Sequence, residues 1–146
     1  VTPQRVTLIT LGVDDLDRAR AFYEALGWRP AEAEAGIVVF QLHGMALGLF
    51  GRAALAADQG RPEAELGTGA MTLAQNFPDR AGVDLAWEAA LSAGAQPLKS
   101  PREVFWGGYS GYFADPDGHV WELAHNPFWP LDAEGRLTVP PSPPAS

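Results

Sequence analysis

The chain contains no cysteine, and that absence removes disulfides, thiolate metal ligands and cysteine nucleophiles from consideration. It has no apolar run approaching the ~20 residues that a helix needs to cross a bilayer. The first residues show no basic segment leading into an apolar one and a cleavage site, so the expectation is a cytoplasmic protein without a membrane partner. Basic residues are few: Lys and Arg total 10 against 18 Asp and Glu, for a formal net charge of −8. No basic cluster interrupts this balance, so a phosphate backbone would be repelled, which argues against nucleic acid as a partner. With only 3 histidines, a metal ion would also depend on carboxylate or amide ligands.

What is present suffices to fold. Apolar residues make up 47% of the 146 positions, enough for one well-packed domain or two small modules that share a core. Residues 6–13 read as a strand running into Asp14-Asp15, a helix N-cap pair. Leu16, Ala19, Phe22, Tyr23 and Leu26 recur at three- and four-residue steps, giving a helix one apolar face, and Gly27 supplies its left-handed end before Pro30. Residues 37–42 and 45–50 are apolar runs joined at His43-Gly44, a tight hairpin. The periodicity fades over 51–69, a connecting segment with a short helix predicted at 52–58.

The order then repeats. Residues 70–76 read as a strand and Pro78-Asp79 opens a helix. Val83, Ala86, Trp87, Ala90 and Leu91 form its buried face, and Gly94 ends it. Asp17-Arg18-Ala19 aligns with Asp79-Arg80-Ala81, and Gly27-Trp28-Arg29-Pro30 with Gly94-Ala95-Gln96-Pro97, roughly 65 residues apart. Each unit has a helix for one sheet face and nothing for the other, so the units must pack together or enclose a ligand. The predicted organisation is a first module over 1–51, a linker over 52–69, a second module over 70–127, and a tail over 128–146 that lacks the means to order itself beyond about Val139.

The most informative stretch is FWGGYSGYFADPDGHVWELAHNP, from Phe105 to Pro127. Asp115-Pro116-Asp117-Gly118 is a turn signal between two strands. Glu122, between Trp121 and Leu123, is costly to bury without a partner, and such groups gather at functional sites. An outward-pointing strand residue is the plain alternative. Trp106-Gly107-Gly108-Tyr109 pairs flat aromatic faces with glycines that allow close approach of a ligand, although the glycines equally suit a bulge. Thr10 and Gln75-Asn76 are the polar breaks in otherwise apolar strands. The candidate ligand-binding set is therefore Thr10, Phe50, Gln75, Trp106, Tyr109, Tyr112 and Glu122, with Glu122 as candidate catalytic base. His43 and His119 read as loop and structural residues. Phe128-Trp129-Pro130 reads as an aromatic clamp folding back onto the body.

The opening LGVDDLDRARAFYEALGW, from Leu11 to Trp28, the FADPDGHVWEL block from Phe113 to Leu123 and the repeated plan resemble the vicinal oxygen chelate superfamily. That superfamily comprises glyoxalase I, the bleomycin and fosfomycin resistance proteins and the extradiol dioxygenases. The resemblance implies an α+β fold of two βαβββ modules whose curved sheet surrounds a cavity, and a homodimer. In metal-using members the first and last strands of each module carry the ligands. Here the corresponding positions read as Leu8, Gly48, Met71 with Gln75 on the same face, and Glu122. Only Glu122 matches, so the implied function is metal-free binding of a hydrophobic or aromatic small molecule. The alternative is a lyase, isomerase or dioxygenase using Glu122 as base, or a divalent metal held through Glu122 and His125.

Overall fold

The structure, a computed structural model, describes residues 2–141. Strand β1 (Leu8–Val13) leads into helix α1 (Leu16–Ala25), whose start is set by Asp15, with its carboxylate accepting from the Arg18 amide. Gly27, at φ 95°, lets the chain leave the helix. Strands β2 (Pro30–Glu34), β3 (Ile37–Gln41) and β4 (Ala46–Gly51) follow. Helix α2 (Arg52–Gln59) and a 3-10 turn at Glu63–Glu65 occupy the connecting segment. The second half runs β5 (Thr72–Asn76), α3 (Arg80–Ser92) capped by Asp79, β6 (Gln96–Glu103), β7 (Tyr109–Ala114) and β8 (Val120–His125).

The strands form two four-stranded sheets with the same plan, β1-β4-β3-β2 and β5-β8-β7-β6. In each, the first strand lies parallel to the last and the remaining pairs are antiparallel. The fold is thus α+β, two open mixed sheets with three helices. Strands β2 and β6 have no counterpart among the runs that the apolar pattern singles out. Both are edge strands, exposed along most of their length, and β6 carries Pro97 and Pro101 with two register shifts. Edge strands need no apolar alternation and tolerate proline, so their sequences look like loops.

Both sheets contribute their helix-covered faces to one core: Leu11, Val13, Phe40, Leu47 and Leu49 from the first, Phe113, Trp121 and Leu123 from the second, with Phe22, Tyr23, Val83 and Trp87 from the helices. The aromatic side chains cross from one half to the other, with Tyr23 at 6.1 Å and Trp28 at 5.7 Å from Trp121, ring centre to ring centre. The outer faces give nothing to this core cluster. On the first sheet, α2 reaches the outer side of Gly12, where a Cβ would lie 3.1 Å from Leu55.

After β8 the chain turns at Asn126 and makes a small hairpin closed by a bridge between Leu131 and Leu137. Phe128 does reach back, onto Gly107, while remaining largely exposed. The segment 138–141 is exposed coil, and residues 142–146, where most of the tail predicted to lack order falls, lie outside the described residues. No helix among the described residues is long and apolar enough to cross a membrane.

Candidate functional site

The turn between β7 and β8 is a clasp between the halves. Asp115, only 3% exposed, accepts from the backbone amides of Asp117 and His119 at 2.9 Å each through one oxygen and from the Tyr23 phenol at 2.6 Å through the other. Trp121 donates its indole N–H to the same phenol oxygen at 3.1 Å. Burial, followed by the Asp115 charge, pushes the Tyr23 hydroxyl far above the ordinary tyrosine range. Asp117 accepts from the Asp14 amide at 2.8 Å and from the Arg18 guanidinium at 3.0 Å, and its second oxygen is buried without a partner among the described residues. A ring nitrogen of His119 lies 2.7 Å from the Gly12 carbonyl. The ADPDGH motif therefore binds the start of α1 and the end of β1. This network is invisible in the sequence, because nothing local pairs Tyr23 with Asp115.

Glu122 and Tyr112 face each other across β8 and β7, where the phenol donates to a carboxylate oxygen at 3.1 Å. Both are half-buried. Partial burial and then the Glu122 charge raise the Tyr112 hydroxyl above its ordinary value, so it remains a donor to the carboxylate. Parallel register pairs Ala74, not Gln75, with Glu122. Because strand side chains alternate, Gln75 joins Leu123 on the core side and does not flank Glu122. The same alternation puts His125 opposite to Glu122, with its ring nitrogen 3.0 Å from the Phe77 carbonyl, so the two do not share a face.

The remaining predicted residues also disperse. Thr10 pairs with Gly48 and Phe50 with Gly12 on the outer face of the first sheet. Tyr109 is on the core side of β7, donating to Asp84 of α3 at 2.6 Å beneath the Arg80 guanidinium, and that hydrogen bond raises its hydroxyl above the ordinary value. Trp106 lies over Gly108, whose missing Cβ would meet the indole at 2.1 Å. The paired glycines serve this loop by making room for the tryptophan. Of the seven, only Tyr112 and Glu122 are joined by a hydrogen bond among the described residues.

A divalent ion does not fit the donors at the strand positions where the vicinal oxygen chelate pattern puts its ligands. The positions read as Leu8, Gly48, Met71 with Gln75, and Glu122 offer one carboxylate, and the register, which sets Thr10 rather than Leu8 opposite Gly48 and Ala74 rather than Met71 opposite Glu122, adds none. A side chain at Gly48 would meet Leu8, Ile37 and Thr10 at 3.6 Å, so its surroundings are largely aliphatic. No group of three or more His, Asp or Glu is placed to hold a metal ion among the described residues.

Cavities lie where the halves meet. One, of about 250 Å³, sits under the connecting segment and touches Thr10, Arg52, Leu66, Thr68 and His119. Another is a cleft of about 710 Å³ bordered by Trp28, Arg29, Phe40, Gln75, Asn76 and Trp121. Glu122 borders neither.

The model of the Glyoxalase/Bleomycin resistance protein/Dioxygenase superfamily matches residues 5–123. No curated protein matches the chain. Among solved structures, a glyoxalase-related enzyme from Fulvimarina pelagi is 37% identical with a TM-score of 0.86, over 93% of this chain and 98% of that one. A glyoxalase/bleomycin resistance protein/dioxygenase from Nocardioides is 25% identical with a TM-score of 0.72, over 86% of this chain and 85% of that one. A lactoylglutathione lyase from Agrobacterium tumefaciens is 25% identical with a TM-score of 0.64, over 86% of this chain and 96% of that one.

Proposed function

The chain belongs to the glyoxalase/bleomycin resistance protein/dioxygenase superfamily, and from that membership we propose that it is a metal-free binder of a hydrophobic or aromatic small molecule, with Glu122 as its polar anchor. The observation that carries this reading is the Tyr112–Glu122 pair on an outer sheet face. On β8 and β5 its neighbours are Val120, Ala124 and Ala74, and across β7 Tyr112 pairs with Lys99 of β6. A carboxylate and a phenol on one sheet face orient a ligand by hydrogen bonding, while ring and aliphatic contacts supply affinity.

The same reading makes the protein a cytoplasmic homodimer. Leu8 is 46% exposed and Phe50 half-buried on the outer face of the first sheet, and Phe105 and Phe128 stand exposed near the end of the second. A second copy covering these surfaces would remove apolar area from water and wall in the Glu122 face.

A thermal-shift screen of aromatic small molecules tests the proposal, with hits repeated on Glu122→Gln and Tyr112→Phe. Stabilisation of the parent and its loss in Glu122→Gln are expected. Hits that stabilise both equally would remove Glu122 from the site. Native mass spectrometry of untagged protein purified without chelator reports dimer, metal and retained ligand together, and a monomer or a stoichiometric divalent ion counts against the reading.

A second reading is favoured by the Fulvimarina pelagi relative, which is described as an enzyme. In it Glu122 acts as general base beside a carbonyl, with Tyr112 orienting the carboxylate. If Glu122→Gln turned over a substrate at the parent rate, that role would be gone.

A further inference from the structure

The inter-module cleft has features that the Glu122 reading does not use. At about 710 Å³ it falls within the ~300–1,000 Å³ typical of small-molecule sites. Trp28, Phe40 and Trp121 meet at its wall, Trp28 lying 5.6 Å from Phe40 and 5.7 Å from Trp121 in edge-to-face arrangements; Phe40 and Trp121 are buried behind it, and the half-buried Trp28 is the indole that reaches the cleft. Gln75 and Trp28 also line a smaller chamber of about 200 Å³ behind the cleft, bordered by Leu26, Phe113 and Leu123. Gln75 thus stands at the junction of two voids.

The polar groups of the cleft divide into those already engaged and those left available. Gln41 donates to the carbonyls of Leu42 and Met45 and is occupied by its own hairpin. Glu134, at the rim, lies 3.3 Å from Arg136, which it shares with Asp132, and the hairpin that carries it is held by Asp132 accepting from the amides of Glu134 and Arg136. Arg29 enters no ion pair among the described residues, and the amides of Gln75 and Asn76 take part in none of their side-chain hydrogen bonds. The cleft therefore presents one half-buried indole, amide groups and, apart from the Glu134 carboxylate at its rim, a guanidinium without an ion pair among the described residues. That combination suits a ligand with a flat ring and an anionic, bidentate acceptor.

We propose that the cleft between the two halves is a ligand site, separate from the Glu122 face, that takes a planar aromatic monocarboxylate with its ring against Trp28 and its carboxylate toward Arg29. The proposal does not rest on the function of Glu122.

Isothermal titration with 2-naphthoate and with the uncharged 2-naphthamide tests it. The parent protein is expected to bind both, the carboxylate more tightly. Arg29→Gln, an exposed position that does not threaten folding, is expected to weaken 2-naphthoate roughly tenfold and leave 2-naphthamide unchanged, since a charge-assisted hydrogen bond is worth about that factor. Trp28→Leu is expected to weaken both, with its folding checked by circular dichroism. Absence of binding up to about 1 mM, a limit corresponding to roughly 4 kcal/mol, would overturn the proposal. So would Arg29→Gln affecting the two probes alike. If Glu122→Gln weakened 2-naphthoate as much as Arg29→Gln does, the ligand would sit on the outer sheet face and the cleft would be no site.

Discussion

The Tyr23 hydroxyl donates a 2.6 Å hydrogen bond to Asp115, which lies 92 positions further along the chain. The contact joins helix α1 of the first half to the β7–β8 turn of the second, inside the shared core. Tyr23 is fully buried and Asp115 nearly so, hence neither finds water as a substitute partner. Removing the hydroxyl strands both the Asp115 oxygen and the Trp121 indole N–H.

Tyr23→Phe is accordingly expected to destabilise the protein by about 2 kcal/mol, the usual cost of leaving buried partners unsatisfied. Urea unfolding checks this. A midpoint equal to that of the parent would mean that water or a side-chain shift replaces the phenol.

The same residue sets a pH dependence. Its folded-state pKa lies above the unfolded value, so the native state holds the proton more tightly than the unfolded chain does. The stabilisation is therefore complete below the ordinary tyrosine range and declines as pH rises through and beyond about 10. Thermal scans from neutral to alkaline pH should show Tm falling in that window, and less steeply in Tyr23→Phe. Parallel curves for the two proteins would assign the alkaline loss to other groups.

Gly111→Ala tests the β6–β7 pairing. A Cβ there would lie 2.8 Å from the Pro101 nitrogen and 2.9 Å from the Lys99 carbonyl oxygen, both backbone atoms of the bulged edge strand. The expected cost is about 1–3 kcal/mol, as for overpacking elsewhere. Unchanged stability would show that β6 moves aside freely.

Chelation probes the donor set. With Thr10 opposite Gly48 and Ala74 opposite Glu122, dialysis against EDTA is expected to leave Tm where it was, and added Zn²⁺ or Mn²⁺ to leave it unmoved. A rise in Tm with a metal content of one ion per chain would show that ligands assemble in some other way.

Much of the architecture was legible because local chemistry dictates it. Asp15 and Asp79 cap helices, Gly27 and Gly94 end them, and Asp115-Pro116-Asp117-Gly118 turns the chain, each through backbone preferences that act within a few residues. The alternation of Phe113, Trp121 and Leu123 likewise marks a buried face. The edge strands β2 and β6 escaped because solvent and proline leave no such pattern.

The candidate site was legible only in part. Alternation within β7 and β8 separates Tyr109 from Tyr112 and Glu122 from His125, and the sequence alone determines that much. Whether Gln75 or Ala74 stands beside Glu122 depends on the register of β5 against β8, two strands far apart in the chain, and one step of register exchanges the two faces. The meeting of Tyr23 with Asp115, and of Trp28 with Trp121 across the cleft, depends on how the halves pack. Short-range preferences fix turns, caps and faces because they act on neighbours. Only tertiary packing decides which faces meet, since it is set by the burial of apolar area summed over the whole chain.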